Sequence, residues 1–301
     1  EPGHKTDVQV LPPDTVSSGN RQHADARPAK QQSEWKATLP GGVTVELAGM
    51  CDSPTIGRQW WRPDGERLPD TPCESLAKAG RQTETSKKAY QLVASLAGPG
   101  RLDRRSDTPE RWEMPLATSL GLGKSGRVKD LTGGNRNLRA ITADLPAGLD
   151  KTTVRFGVAV GPWRTAGAVD AARTSRQRLG PAGATFHPPR EEEGRTVVDV
   201  VVSDEFQSVR AHRVLAVLDN DEVVMYGGRM RYGGLVFLPR KEGYTFNYPL
   251  RRIKRLEFQT CDYQWVEFRN VSLKPGHKTD LEVVVLAAGE RSPDMYPPEW
   301  S

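Results

Sequence analysis

The chain has 301 residues, of which 43 are basic and 38 acidic, so its formal net charge is +5. Hydrophobic residues make up 36% of the sequence, and glycine and proline are frequent, with 29 and 23 copies. So small a charge surplus on so long a chain, without a focused basic patch, argues against nucleic-acid binding. No apolar run approaches the ~20 residues of a membrane-spanning helix, so we expect no span within this chain.

The same six residues, PGHKTD, occur at Pro2–Asp7 and at Pro275–Asp280, and apolar residues follow in both places. We interpret residues 1–13 as an orphan turn and strand from a preceding, similar unit. Such a strand has unpaired backbone groups, which leaves self-association by strand exchange open. Residues 14–34 are polar and almost free of large apolar side chains, which predicts a disordered N-terminal linker.

From residue 35 onward the apolar residues recur at every second position. Val154, Phe156 and Val158 lie on one side of a predicted strand, and Arg155 lies on the other. This alternation is typical of half-buried strands in antiparallel sheets. We therefore predict a β-sandwich-like domain over residues 35–165.

A second β-rich block is predicted over residues 182–290, with a hairpin turn at Asp219–Asp221. Residues 166–181 are expected to connect the blocks, either as a short helix or, in the favoured interpretation, as irregular chain. Residues 291–301 form a tail. The predicted fold class is all-β, with two antiparallel β-sandwich-like blocks.

The phrase GLGKSG at residues 121–126 resembles the end of a phosphate-binding loop. Such a loop needs a helix directly after it, whose free N–H groups meet the phosphate. The following residues, GRVKDLTGG, have glycines at both ends and are not expected to form a helix. We therefore predict a flexible hairpin loop and no cofactor.

No metal site is predicted, because no histidines or cysteines have ligand spacing. His187 stands near three glutamates, which we interpret as an exposed turn and an acidic loop. Cys51 and Cys73 flank a turn-rich loop and could form a disulfide in an oxidising compartment, but separate buried thiols are the favoured alternative. No catalytic residue can be assigned.

The stretch GRQWWRPDGERL contains the candidate ligand-binding residues Trp60, Trp61 and Arg62. Adjacent side chains on a strand face opposite ways, so one indole is expected in the core. The other would form an aromatic platform with Arg62 as a cationic neighbour, unless a further layer covers it. Burial of both indoles is the alternative, and we favour it.

The stretch LRRIKRLEF places four basic residues on one predicted strand, at positions 251, 252, 254 and 255. Binding to an anionic polymer is one interpretation. A solvated edge strand protected by its charges is the other, and we favour it.

Three longer phrases, GGVTVELAGM with GRQWWRPDGERL, RAITADLPAGLDKTTVRFGVAVGPW, and FQTCDYQWVEFRNVSLKPGHKTDLEVV, carry a resemblance to known proteins. They resemble a β-rich region appended to BlaR/MecR-type antirepressor metallopeptidases or to sigma-factor-like proteins of environmental bacteria. The peptidase motif itself is absent, so no catalytic residue is carried over. The resemblance implies a sensing or ligand-binding module attached to a signalling protein.

We therefore expect a non-enzymatic, extracytoplasmic or secreted, sensor-type module of a larger signalling protein. Its partner would be a glycan, a peptide or a protein. The alternatives are a carbohydrate-active enzyme and a structural, adhesin-like repeat.

Overall fold

The structure, a computed structural model, describes residues 35–52, 59–76, 86–98, 110–114, 122–180, 183–203, 210–232 and 240–287. Within these residues the chain is almost entirely extended. The first eight strands are β1 Lys36–Thr38, β2 Thr44–Asp52, β3 Trp60–Trp61, β4 Lys87–Ala97, β5 Glu110–Glu113, β6 Leu122–Val128, β7 Asn137–Pro146 and β8 Lys151–Val158.

The remaining strands follow after a short connection. They are β9 Arg164–Asp170, β10 Gln177–Leu179, β11 Ala184–Phe186, β12 Arg190–Glu192, β13 Arg195–Val202, β14 Arg210–Leu218, β15 Val223–Met225, β16 Gly228–Tyr232, β17 Arg240–Phe246, β18 Ile253–Asp262, β19 Gln264–Ser272 and β20 Glu282–Leu286. One turn of 3-10 helix, Leu250–Arg252, precedes β18.

The first sandwich consists of two antiparallel sheets. Sheet I has the order β1-β2-β4-β7-β6, with β3 beside β2, and sheet II has the order β20-β19-β8-β5. One buried apolar cluster joins them, with Leu92 and Ile141 from sheet I and Phe156 and Phe268 from sheet II. The apolar side predicted for β8 is confirmed, since Val154, Phe156 and Val158 are all fully buried, but Arg155 on the other side is also buried, so β8 is not half-buried.

The second sandwich repeats this arrangement with different strands. Sheet III has the order β15-β14-β18-β9, and sheet IV has the order β10-β11-β13-β17-β16, with β12 beside β13. Phe258 of sheet III and Phe186 of sheet IV meet edge to face across the core, with ring centroids 6.1 Å apart. The predicted all-β class with two antiparallel sandwiches is confirmed. The hairpin at Asp219–Asp221 is also confirmed, because β14 pairs with β15.

The first sandwich is formed by two stretches that are far apart along the chain. β19 pairs with β8 and β20 pairs with β19, so residues 264–286 complete the first sandwich. The second sandwich, β9 to β18, is inserted between β8 and β19. The boundaries expected at 35–165 and 182–290 assumed that each sandwich is one continuous stretch of chain. The pairing of residues 264–286 with β8 departs from that assumption, and hydrophobic periodicity cannot show which strands are neighbours.

The expected irregular connection at residues 166–181 instead contains strands. β9 pairs with β18 over Arg164–Asp170, and β10 pairs with β11. Only Val169 of β9 enters the second core, and its neighbours are alanine, glycine and threonine. So short an apolar pattern does not predict a strand. The segment is extended because it pairs with β18.

A third apolar cluster lies where the chain passes between the sandwiches. It contains Ala159, Ala211, Cys261, Tyr263, Trp265, Val284 and Leu286. The Trp265 ring lies directly over Gly157, where an added Cβ would be 2.8 Å from the ring atoms. Trp265 therefore requires glycine at position 157.

Several sequence predictions fall on residues that lie outside the described ones. These are the orphan strand at 1–13, the linker at 14–34 and the tail at 291–301. Among the described residues there is no helix with the length and apolar character that a membrane crossing requires.

Candidate functional site

The two tryptophans proposed as a binding platform are both buried. Trp61 faces sheet II, and its Nε1–H donates to the carbonyl oxygen of Ser272 at 2.9 Å. Trp60 points to the opposite face of sheet I, as adjacent strand residues must. It is nevertheless only 2% exposed, and its Nε1 has no hydrogen-bond partner. Neither ring offers an exposed face, so the buried alternative is the one that the structure shows.

Arg62 follows the two tryptophans but packs locally. Its guanidinium lies 4.7 Å from the ring centroid of Trp35 and donates to Glu66 at 2.8 Å. The structure therefore does not bring Trp60, Trp61 and Arg62 together as one surface. Their side chains hold the loop after β3 in place.

The other sequence motifs are also accounted for by the fold. Cys51 and Cys73 are separate buried thiols rather than a disulfide. The GLGKSG phrase lies mostly on β6, which continues as a strand to Val128, so no helix follows it. In the described ranges no three His, Cys, Asp or Glu side chains are placed to share a metal ion.

The basic stretch before and on β18 is neither an edge strand nor a free cationic surface. β18 lies inside sheet III, between β14 and β9, so the expectation of an edge strand is wrong. Arg252 pairs with Asp219, and Lys254 pairs with Asp221, both at 2.8 Å. The hairpin turn before β15 supplies these two acids, which sequence order alone did not indicate.

An open groove in the first sandwich has a basic border. Arg127, Lys129 and Arg136 line it together with Asp130. The Asp130 carboxylate accepts hydrogen bonds from the backbone N–H of Arg136 at 2.9 Å and of Thr132 at 3.0 Å. The Asp130 carboxylate is thus bound by groups of its own loop, and we do not interpret the groove as a ligand site.

The largest exposed apolar side chains lie elsewhere, mainly around β15. In the described part of the chain four large apolar residues are exposed: Leu131, Val223, Met225 and Met230. Val223 and Met225 are 55% and 44% exposed, and they share one face of β15. Because β15 is the first strand of sheet III, its outer backbone edge pairs with no described strand.

The neighbouring strand extends this apolar area. Alternate residues of β14 enter the second core, so Leu215 and Val217 face away from it. Leu215 lies opposite Met225, and Val217 lies opposite Val223. We call these four residues the β15 surface: two exposed side chains on the edge strand and two buried ones beside them.

A charged pair borders the β15 surface on its inner side. β18 places Glu257 opposite Leu215 and Arg255 opposite Val217. The two charged side chains contact each other at 2.9 Å. An apolar centre beside a polar border is the usual composition of a protein–protein contact area.

Beneath the neighbouring edge strand, β16, lies a buried ionic cluster. We call His212, Arg229, Glu242 and Tyr244 the Glu242 cluster, because all four meet at one oxygen. Glu242 Oε2 accepts from Tyr244 Oη at 2.7 Å and from Arg229 Nε and Nη2 at 3.0 and 2.5 Å. His212 Nε2 lies 2.9 Å from the same oxygen.

These contacts explain the charge state of the carboxylate. Burial by itself raises the pKa of Glu242, but the hydrogen bonds and charges of His212, Arg229 and Tyr244 hold that pKa well below its usual range. Glu242 is therefore ionised and fully engaged. The cluster ties β14 of sheet III to β16 and β17 of sheet IV, which fixes the sandwich beside the β15 edge.

Comparison with known proteins adds no relative. No family model, no curated protein and no solved structure matches the chain. The resemblance described above thus depends on its sequence phrases alone, and any function must be argued from the surfaces of the molecule.

Sequence reasoning missed the β15 surface for an identifiable reason. The run EVVM after the hairpin turn reads as an ordinary core strand, because valine and methionine are common in buried positions. Only the strand order shows that β15 is at an edge and that Val223 and Met225 face outward.

Proposed function

We propose that the chain is a non-enzymatic partner-binding module that receives an extended apolar segment of a protein along β15. The observation that carries this proposal is the exposure of Val223 and Met225 on one face of an edge strand. Exposed apolar residues are unremarkable singly, but two at alternate positions on an edge that pairs with no described strand form a pairing template.

The chemistry of β15 favours a strand as its partner. Edge strands are usually protected by lysine, proline or inward-pointing charge, whereas β15 has the sequence VVM. In strand addition the main-chain hydrogen bonds supply affinity, and pockets for alternate side chains supply specificity. β15 offers a backbone edge for such hydrogen bonds, and Val223 and Met225 offer exposed apolar side chains at alternate positions.

The partner segment should therefore have apolar residues at every second position. Met225 is suited to contact side chains of several shapes, because its thioether side chain is flexible and polarisable. The Arg255–Glu257 pair at the border favours polar flanks on the partner. The sequence resemblance adds that such a module would serve as the extracytoplasmic sensing part of a larger signalling protein.

The direct test is selection of extended peptides from a display library against the full chain. Peptides with alternating apolar residues should be enriched, and Met225→Lys should weaken their binding at least about tenfold, which is about 1.4 kcal/mol. Met230→Lys is the matched control, because Met230 is also exposed, at 55% against 44% for Met225, but lies on β16 of sheet IV. It should leave binding unchanged.

Methionine methyl NMR shows where the selected peptides bind. The sequence contains five methionines, so each methyl signal can be assigned by substitution. Binding should shift the Met225 signal and leave that of Met50, which is buried in the first core, unchanged. Peptides that bind equally well to Met225→Lys, or that leave the Met225 signal in place, would contradict the proposal.

A further inference from the structure

The PGHKTD phrase near the end of the chain occupies one position in the first sandwich, against residues 63–65 and beside β19. We call this position the seat. The phrase forms the loop between β19 and β20 and packs on the loop at residues 63–65. The Gly276 N–H donates to the Gly65 carbonyl oxygen at 2.8 Å, and the Thr279 N–H donates to the Asp64 carbonyl oxygen at 3.1 Å. These contacts use backbone groups of the phrase.

The seat is shaped to admit a backbone at very close range. Gly65 has a φ of +95°, and a Cβ added there would be 2.1 Å from the carbonyl oxygen of His277. The Ser272 hydroxyl lies 2.7 Å from that same oxygen, to which it can donate. Gly276 itself has a φ of +80°, a conformation that glycine adopts without strain.

The N-terminal copy of the phrase meets each of these requirements. Gly3, His4 and Thr6 stand in the positions of Gly276, His277 and Thr279. A segment with the same glycine and the same backbone groups can form the same hydrogen bonds to the seat. The identity extends over all six residues of the phrase, Pro2–Asp7.

The residues after the phrase match the strand as far as the apolar face requires. Val283 of β20 is buried in the first core, and Leu281 packs against that core. Val10 and Val8 stand in these two positions of the N-terminal copy. The copies diverge at Pro12 and Pro13, which replace the last two residues of β20 and lack the N–H that a ladder needs.

The start of the described chain lies beside the seat. β1 contacts β20 at the margin where sheets I and II meet. Residues 14–34 join the N-terminal copy to the start of β1, and a flexible chain of that length has a root-mean-square span of roughly 25 Å. Two segments joined through such a span meet at an effective concentration on the order of millimolar.

We propose that residues 2–11 are a second closing strand for the first sandwich, which occupies the position of residues 275–284 beside β19 when that segment is displaced. β20 holds the seat at rest, because it continues for two residues beyond the point where the N-terminal copy reaches proline. The two segments compete for one site, so weakening one should transfer occupancy to the other.

A double-mutant cycle in the full chain tests this competition. Val283→Asp weakens β20, and Val10→Asp makes the matched change in the N-terminal copy. Val10→Asp alone should leave the melting temperature of the first sandwich unchanged. In the Val283→Asp background it should lower that temperature by a further ~5 °C, because the replacement strand is lost as well.

Val283→Ala repeats the cycle with a milder change, in case Val283→Asp prevents folding. Val10→Asp should again have an effect only when β20 is weakened. If it has the same negligible effect in all three backgrounds, residues 2–11 do not enter the seat and the proposal is overturned. Hydrogen exchange of the β19 amides that are directed at β20 locates the change, since these amides should stay protected only while one of the two segments is paired.

Dilution identifies the molecule that supplies the replacement strand. A melting temperature of Val283→Ala that is independent of protein concentration means that the same chain supplies it, as the tether predicts. A loss of the rescue on dilution means that the N-terminal segment of a second copy occupies the seat, which supports the seat and overturns the tethered form of the proposal.

Discussion

The two sandwiches each hold a carboxylate between their sheets, and the two carboxylates behave in opposite ways. In the second sandwich Glu242 of sheet IV contacts His212 of sheet III, and its pKa is lowered. In the first sandwich Glu110 of sheet II contacts Arg139 of sheet I, and its pKa is raised from 4.5 to about 7.

Burial does not explain the difference. The Glu242 side chain is only 1% exposed, whereas that of Glu110 is 17% exposed. Burial is the largest single influence on both pKa values, and it raises both. The groups that face Glu242 outweigh this effect, whereas those that face Glu110 do not.

The number of donors differs between the two sites. Glu242 Oε2 has nitrogen or oxygen donors from three side chains within hydrogen-bond distance. Glu110 faces the guanidinium of Arg139, whose Nε lies 2.5 Å from Glu110 Oε2. At Glu110 burial raises the pKa more than the charge and the hydrogen bonding of Arg139 lower it. An arginine nearby is thus not sufficient; several donors are required.

The two sites should therefore respond to pH with opposite signs. The folded-state pKa of Glu242 lies below its unfolded value, so its contribution is present above about pH 4.5 and is lost only in stronger acid. The folded-state pKa of Glu110 lies above its unfolded value. Its protonated form favours folding, and that advantage is lost as pH rises from 4.5 through about 7.

The largest effect is expected from Glu242→Gln. The amide keeps the shape of the side chain but leaves the partly buried Arg229 without a neutralising charge. Removal of one member of a buried ionic contact costs about 3–5 kcal/mol, and we expect a loss of free energy of unfolding in this range at pH 7. Urea denaturation measures it, and hydrogen exchange should assign the loss to the second sandwich.

The exposed Glu222→Gln is the matched control, because Glu222 lies in the turn of the β14–β15 hairpin. It should change the free energy of unfolding by less than about 0.5 kcal/mol. A loss below about 1 kcal/mol for Glu242→Gln would mean that the four-residue contact contributes no more than an ordinary hydrogen bond.

A smaller, pH-dependent effect is expected from Glu110→Gln. A rise in pKa from 4.5 to about 7 corresponds to roughly 3 kcal/mol of lost stability above neutral pH, as an upper value. Wild type should therefore lose about 2 kcal/mol more than Glu110→Gln when the free energy of unfolding at pH 8 is compared with that at pH 5.

Comparison of the two proteins at both pH values removes the contribution of every ionisable group that they share. Arg139 remains in the variant and contacts the amide instead. If wild type and Glu110→Gln show the same pH dependence, then Arg139 compensates Glu110 fully and the proposed difference between the sandwiches does not exist.

The strands could be predicted from the sequence, because side chains on a strand point alternately to the two faces of a sheet, and apolar residues then recur at every second position. Val154, Arg155 and Phe156 illustrate this, since the two apolar side chains enter the core and Arg155 faces away to contact Glu267 at 2.7 Å. The opposite directions of Trp60 and Trp61 were predictable on the same ground. Burial of both was the favoured alternative, but the sequence could not show which groups cover each face.

Strand partners and inter-sheet contacts could not be predicted. His212, Arg229 and Glu242 are separated along the chain by 17 and 13 positions, and no spacing rule connects them. They meet only because β14, β16 and β17 lie in facing sheets. β19 and β20 belong to the first sandwich because β19 pairs with β8. The sequence does not indicate this pairing, because the whole second sandwich lies between β8 and β19 along the chain.

The smallest effect is expected from Tyr244→Phe, which removes one donor from Glu242 and leaves the others. A single hydrogen bond to a buried group contributes about 1 kcal/mol, with a charged acceptor toward 1.5–3. We expect a loss of about 1–2 kcal/mol at pH 7, measured by urea denaturation. Glu242 should remain ionised, because Arg229 and His212 still face it.

Acid titration of Tyr244→Phe then sharpens the comparison between the sites. With fewer donors, the folded-state pKa of Glu242 should rise toward the behaviour of Glu110, so unfolding in acid should begin at a higher pH than in wild type. Tyr248→Phe is the control, because the contact of Tyr248 with Thr196 uses its carbonyl oxygen, which the substitution keeps. An unchanged acid midpoint for Tyr244→Phe would show that the charge of Arg229 alone determines the state of Glu242, and that donor number does not.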